Sequence, residues 1–323
     1  MPPRGYYNRD NTKSRGVNPC RLEPTAYSLK IAAEQGLEAW LDQNHPSFNF
    51  HILLSKRLIS LYNQIEVTLM ERTEWLKEMR SKAEALYDHG APLYWVTWGM
   101  DNPETHRAYL QKFLRMMAPR GNILSAACGA GRFDGFLVEA GHSVVGVDQS
   151  AGMLARAREH FPADRFPHLR YEKVGLQEIA TIPVLQASFD GIICMDSMEH
   201  ICPEDYPGIL CGFHNALRPG GVLYITVETH ETAVEDGEDL AVAYERAKAK
   251  GLPVVPGEVV DEFDAAYPLA MREEEVNGEV AHNAVYRFYP PLEQVRAWFA
   301  QARLVILEEG HGDAVHHIIA RRD

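Results

Sequence analysis

The chain reads as an α/β protein built on an open, doubly wound, mostly parallel sheet. The run Ile123–Ala126 ends in a small-residue turn, Ala127-Cys128-Gly129-Ala130-Gly131. A second run, Val144–Val147, ends in a carboxylate, Asp148, nineteen residues after Gly129. From Gly121 onward, short apolar runs alternate with helix-like segments, the pattern of a parallel sheet with helices on both faces. The last two apolar runs, 304–308 and 314–320, are joined by Gly310-His311-Gly312-Asp313, which predicts a β-hairpin.

Taken in order, residues 1–20 are rich in Pro, Gly, Asn and Arg without periodicity and are expected to form a flexible arm. Residues 21–85 are expected to be a helical N-terminal extension. Leu29, Ala33, Leu37 and Leu41 recur every fourth residue between Pro24 and Asp42, and Ser47 offers an N-cap for a second helical segment. From Phe50 to Leu86 apolar residues keep helical spacing with no proline or glycine, giving one long helix or two in line. Its apolar stripe either packs on the sheet domain or makes a homodimer through the N-terminal helices.

Residues 86–229 form the core. Strands are expected at Ile123–Ala126, Ser143–Val147, Leu169–Glu172, Gly191–Met195 and Gly221–Val227. Helices are expected near Phe133–Ala140, Gly152–His160, Asp205–Leu217 and Pro291–Ala302. Residues 286–323 return to the core with a helix and the hairpin. The insertion between them, 230–285, is too long for a simple connection. Residues 228–279 hold fifteen acids against four bases, most of the chain's net charge of −13. Coming after the fifth strand, the insertion is placed over the carboxyl ends of the sheet, where open α/β folds bind ligands. It is either an acidic lid favouring a neutral or cationic substrate or a solvated helical insertion.

At 323 residues, with 46% hydrophobic and 24% charged residues, the chain has the composition of a globular protein. No apolar run reaches the roughly eighteen residues needed to span a bilayer, and Met1–Gly5 lacks an apolar signal core. Five cysteines, an odd number, suggest reduced thiols and a cytoplasmic location; none has the paired spacing of a metal site, and no metal is expected. The net negative charge argues against nucleic acid as partner.

The turn presents backbone N–H groups to a ligand, and Asp148 is placed to take both hydroxyls of a ribose. A dinucleotide fingerprint wants glycine or alanine at 134. Asp134 would repel a phosphate there, whereas a nucleoside without phosphate meets no such penalty. The segment resembles motif I of the Rossmann-like, class I S-adenosylmethionine (SAM) methyltransferases. The resemblance continues at Asp148-Gln149-Ser150 with Met153, at Phe189–His200, and at Leu217-Arg218-Pro219-Gly220-Gly221. It covers about 86–229 and 286–323.

The resemblance implies a seven-stranded sheet with an antiparallel last strand, SAM as cofactor, and methyl transfer to an oxygen or nitrogen of a small-molecule acceptor. A SAM-fold protein lacking methyl transfer, a scaffold or an enzyme of other chemistry, is the alternative. Gly129 and Gly131 are implied to let the backbone approach the methionine half, with Ala127, Met195 and Asp196 nearby. Asp148 is implied to hold the ribose, Gln149 and Met153 to face the adenine, and Tyr94 to lie in a segment folding over the cofactor. Ser125 stands where the family has an acid in the first strand, Ala127 where it has a glycine, and Leu176 where it often has an Asp. Gln177 offers its amide oxygen instead. His200, after the fourth strand, is the candidate base, with His230 as alternate and as a substrate contact. Trp95 and Trp98 are candidates to line an aromatic substrate pocket.

Overall fold

The computed structural model describes residues 48–95, 103–235, 237–263 and 283–323. The chain divides into Met1–Phe48 and Asn49–Asp323, and the helices and strands described belong, Phe48 aside, to the second unit. The expected arm and the helix at 24–42 lie outside the described residues.

Helix α1 runs unbroken over Phe48–Tyr94, the single long helix rather than two in line. From residue 71 its buried positions are Arg72, Trp75, Leu76, Met79, Leu86, Gly90 and Ala91, the three-and-four spacing of one face. Trp75, Leu76 and Met79 join the main apolar core, so this part of the stripe packs on the sheet domain. Helix α2 (Glu104–Met116) buries Tyr109, Leu110 and Phe113 against the opposite face.

The α/β core comes next: β1 (Asn122–Ala126), α3 (Asp134–Glu139), β2 (Ser143–Asp148), α4 (Ala151–His160), β3 (Leu169–Lys173), β4 (Phe189–Cys194), α5 (Tyr206–Ala216) and β5 (Leu217–Val227). Each strand lies within a few residues of its expected place, because each apolar run is punctuated by glycine, proline or polar residues. Helix α8 (Leu292–Gln301) and the hairpin β8 (Leu304–Gly312) and β9 (Val315–Arg322) close the chain.

The seven strands lie in the order β3-β2-β1-β4-β5-β9-β8. β1 to β5 pair in parallel, and β9 runs antiparallel between β5 and β8. This is the Rossmann-like sheet. Strand order reverses between β1 and β4, and ligands bind outside the carboxyl ends at such a switch point. The register Ser125↔Gly146 and Ser125↔Ile193 brings the ends of β1, β2 and β4 to one edge.

The insertion holds α6 (His230–Glu235), α7 (Leu240–Ala249) and a two-stranded ribbon, β6 (Glu258–Phe263) with β7 (Asn283–Phe288). Part of its acidity is internal. Glu258 is 0% exposed and pairs with Arg72 of α1 at 2.7 Å, while also accepting from the Tyr286 hydroxyl at 2.6 Å. Glu238 pairs with Arg287. The first pair ties the insertion to α1 and the second ties its parts together, so these two carboxylates do not act as a solvated field. Among the described residues, no helix is long and apolar enough to cross a membrane.

Candidate functional site

The site grows from the turn after β1. Ala127 takes φ +50°, Gly129 φ +53° and Gly131 φ +83°, a left-handed path that folds the chain back toward α3. Asp148, ending β2, closes it: its Oδ2 accepts from Gly129 N at 2.9 Å and its Oδ1 from Ser150 N at 2.8 Å. Burial pushes the Asp148 carboxyl up, opposed by those N–H bonds. The N-cap of α4 is Ser150, whose Oγ accepts from Met153 N, so Asp148 is not spent on capping. Met153 lies under Gly129, and a Cβ at 129 would stand 3.1 Å from its methyl carbon.

A cleft with about 760 Å³ of space open to solvent runs along this edge. Tyr94, Ala127, Gly129, Asp148, Gln149, Met153, Leu176, Gln177, Asp196 and His200 line it, ten of the expected residues in one place. Met195 lines an adjoining lobe with Arg132, Ser125 and Asp196. Three expectations differ, and a fourth residue is not described. Gly131 does not line the cleft; a Cβ there would meet the Tyr171 hydroxyl at 2.6 Å and the Phe161 ring at 3.0 Å, so its lack of a side chain serves packing. Trp95 stacks on His160 with ring centres 3.8 Å apart and does not line the cleft. His230 is the exposed first residue of α6, away from the lining. Trp98 lies outside the described residues.

Asp134 is also displaced from its expected role. It is 0% exposed and faces the interior beneath the turn, where its carboxylate makes no well-aligned hydrogen bond. Burial pushes it up to about 6, with the nearby Ser125 and Tyr171 hydroxyls acting against that shift. It therefore faces no ligand, and the phosphate-repulsion argument does not apply to it.

Helix α1 roofs the cleft with Arg80, Ala83, Tyr87 and Tyr94, and among the described residues of the insertion none joins the lining. Asp88 fastens this roof to the cofactor-side loop. Its Oδ1 accepts from Ser150 Oγ at 2.6 Å and from Gly152 N at 2.8 Å. Arg80 pairs with Asp205 at 2.7 Å, and Gln177 Nε2 donates to the same Asp205 oxygen at 3.1 Å. The Gln177 amide is thus oriented with its nitrogen engaged and its oxygen left as the acceptor.

His200 is held at both ring nitrogens. The Tyr286 carbonyl can only accept, so Nδ1 carries the proton and donates to it at 3.1 Å; Nε2 then accepts from the Tyr87 hydroxyl at 2.7 Å. Burial lowers its pKa. Glu199, pushed up to about 8 by burial and then by the Asp196 charge, has an oxygen 3.7 Å from Nε2. On the other wall Asp196, at φ +50°, bonds His106 Nε2 at 2.8 Å and Arg132 Nη1 at 2.9 Å. Burial pushes Asp196 up, but those partners outweigh it and hold the carboxyl below its ordinary range.

Residues 123–221 match a family model described as a methyltransferase domain. The chain is 33% identical to the glycine/sarcosine N-methyltransferase of Halorhodospira halochloris over 153 residues, 46% of this chain and 56% of that protein. It is 30% identical to the malonyl-[acyl-carrier protein] O-methyltransferase of Pectobacterium atrosepticum over 122 residues, 37% of this chain and 44% of that protein. The chain thus spans about half the length of the curated relatives it matches. The PH0226 protein from Pyrococcus horikoshii OT3 is a structural neighbour with a TM-score of 0.49 and 19% identity, over 69% of this chain and 93% of that one. Over residues 123–221 the chain is thus similar to a methyltransferase domain, carried on a Rossmann-like sheet.

Proposed function

We propose that the chain transfers the methyl group of SAM to an oxygen or nitrogen of a small molecule. The observation that carries this is the meeting, in one cleft, of the Gly129–Asp148 turn and the Tyr87–His200 pair. The residues fit the cofactor. Asp148 presents a half-buried carboxylate with lone pairs left over for hydroxyls, Gly129 keeps the turn bare of side chain, and Gln177 offers an acceptor for an amino group. When bound, SAM supplies a methyl on a sulfonium, whose loss leaves a neutral thioether.

The residues then divide the work. The Asp148 and Gln177 sides orient the nucleoside, and the Arg132–Asp196 pair offers opposite charges to a zwitterionic amino-acid end. The α1 roof excludes water and aligns the reactants, which supplies much of the rate for an in-line displacement. A hydroxyl acceptor must lose a proton. That proton passes to Tyr87 Oη as the Tyr87 proton passes to His200 Nε2, which the Tyr286 carbonyl keeps in the accepting tautomer. A neutral amine needs no such relay. The relatives' names divide between N- and O-methylation, which supports keeping both. The net charge of −13 weighs against nucleic acid as acceptor.

The test is release of S-adenosylhomocysteine across a panel of small alcohols, phenols, acids and amines. For a hydroxyl acceptor, Tyr87→Phe and His200→Asn should each lower kcat on the order of 10²–10⁴-fold with cofactor affinity kept. A loss confined to KM would make the pair a substrate contact instead. Unchanged kinetics in both variants would refute the relay.

A further inference from the structure

We propose that His106 is a positioning residue for the amino-acid end of the cofactor: bridging Asp196 and Asp313, it holds the Arg132–Asp196 pair in the lobe beside Gly129. This rests on the cofactor reading above. His106, on α2, is 3% exposed and lines neither lobe. Its Nε2 lies 2.8 Å from Asp196 Oδ1 and its Nδ1 3.1 Å from Asp313 Oδ2. Asp313, in the β8–β9 turn, is itself fixed by the backbone N–H groups of Thr105 at 2.8 Å and His106 at 3.0 Å.

A neutral imidazole has one N–H and cannot donate to two carboxylates; an imidazolium can. Burial alone would lower the His106 pKa, but the two carboxylates outweigh it and raise it. The third titratable neighbour, His317, meets His106 edge to face at 4.8 Å. Its ring sits between the Tyr224 hydroxyl and the Gly312 carbonyl and is pushed down to about 4 by burial and by the His106 charge, so it stays neutral. The result is an alternating row, Arg132⁺, Asp196⁻, His106⁺, Asp313⁻, with the Arg132–Asp196 end facing the lobe. The Phe133 ring, next to Arg132 in sequence, lies parallel to His106 within 3° with ring centres 6.1 Å apart. Without His106, Asp196 keeps Arg132 on Oδ2 but holds on Oδ1 only the longer bond from the Thr226 hydroxyl, at 3.3 Å.

Calorimetry on the full chain tests this with two ligands, S-adenosylhomocysteine and 5′-methylthioadenosine, which lacks the amino-acid end. In His106→Gln, homocysteine-ligand affinity should fall about tenfold or more while methylthioadenosine stays within about twofold. Asp313→Asn, which leaves His106 in place, should give a smaller loss of the same selectivity. The gap between wild type and His106→Gln should also narrow as pH is raised, because the neutral ring makes only one of its two donations. Equal losses for both ligands, no loss in the folded variants, or a gap that does not narrow would overturn the inference. A wild type that binds neither ligand would overturn the cofactor reading itself.

Discussion

Asp134 carries a stability prediction because its carboxylate is fully buried without a well-aligned partner. Its pKa rises from 3.8 to about 6 in the fold. An acid with a raised folded pKa favours the native state while protonated; that contribution is complete below the unfolded pKa and is lost as pH rises through the folded one. A shift of about two units makes the ionised side chain unfavourable by about 3 kcal/mol at pH 7–8. Asp134→Asn keeps the shape and removes the charge. It should therefore stabilise the protein by about 3 kcal/mol at pH 7–8, by roughly half that near pH 5, and hardly at all below pH 3.8. Urea unfolding at several pH values on either side of that range reads this directly. A variant that is equally or less stable at every pH would refute the burial argument. A variant with unchanged stability but altered ligand preference would return Asp134 to the cleft.

Asp148→Ala should weaken S-adenosylhomocysteine binding by about 2–3 kcal/mol by calorimetry, since it removes a charged acceptor, and should also lower the melting temperature by freeing the Gly129 and Ser150 N–H groups. Arg72→Met should cost about 3–5 kcal/mol in denaturant unfolding, because Glu258 is left charged and buried. Adding Glu258→Gln to that variant should recover part of the loss; no recovery would mean that the charge pairing is not what holds the insertion to α1.

The part of the fold that could be read from sequence is the part encoded by neighbours in the chain. Ile123 to Asp148 is one contiguous βαβ unit, so the turn, the second strand and the closing carboxylate announce each other through spacing alone. The hairpin at 304–320 is legible for the same reason. The site's other half joins residues far apart in sequence: Tyr87 to His200, Asp88 to Ser150, Arg80 to Asp205, and His106 to both Asp196 and Asp313. No local pattern pairs these, because each depends on how α1 and α2 cross the sheet. The one local signal was polar residues, Arg80, Tyr87 and Asp88, bordering the apolar stripe of a helix that otherwise packs inward. Charge counting misled at Glu258 and Glu238, since a tally of acids cannot tell a solvated carboxylate from one paired with Arg72 or Arg287. Spacing likewise placed Asp134 correctly at the start of α3 but could not say which way its side chain turns.

We propose that the cleft at the ends of β1, β2 and β4 is a SAM site closed by Asp148. Isothermal titration of the purified chain with S-adenosylhomocysteine, run beside Asp148→Ala and beside NAD, tests it most directly. One cofactor per chain, weakened in the variant and with no heat from NAD, is the expected result. Binding that survives Asp148→Ala unchanged in a folded protein, or a preference for NAD, would contradict it.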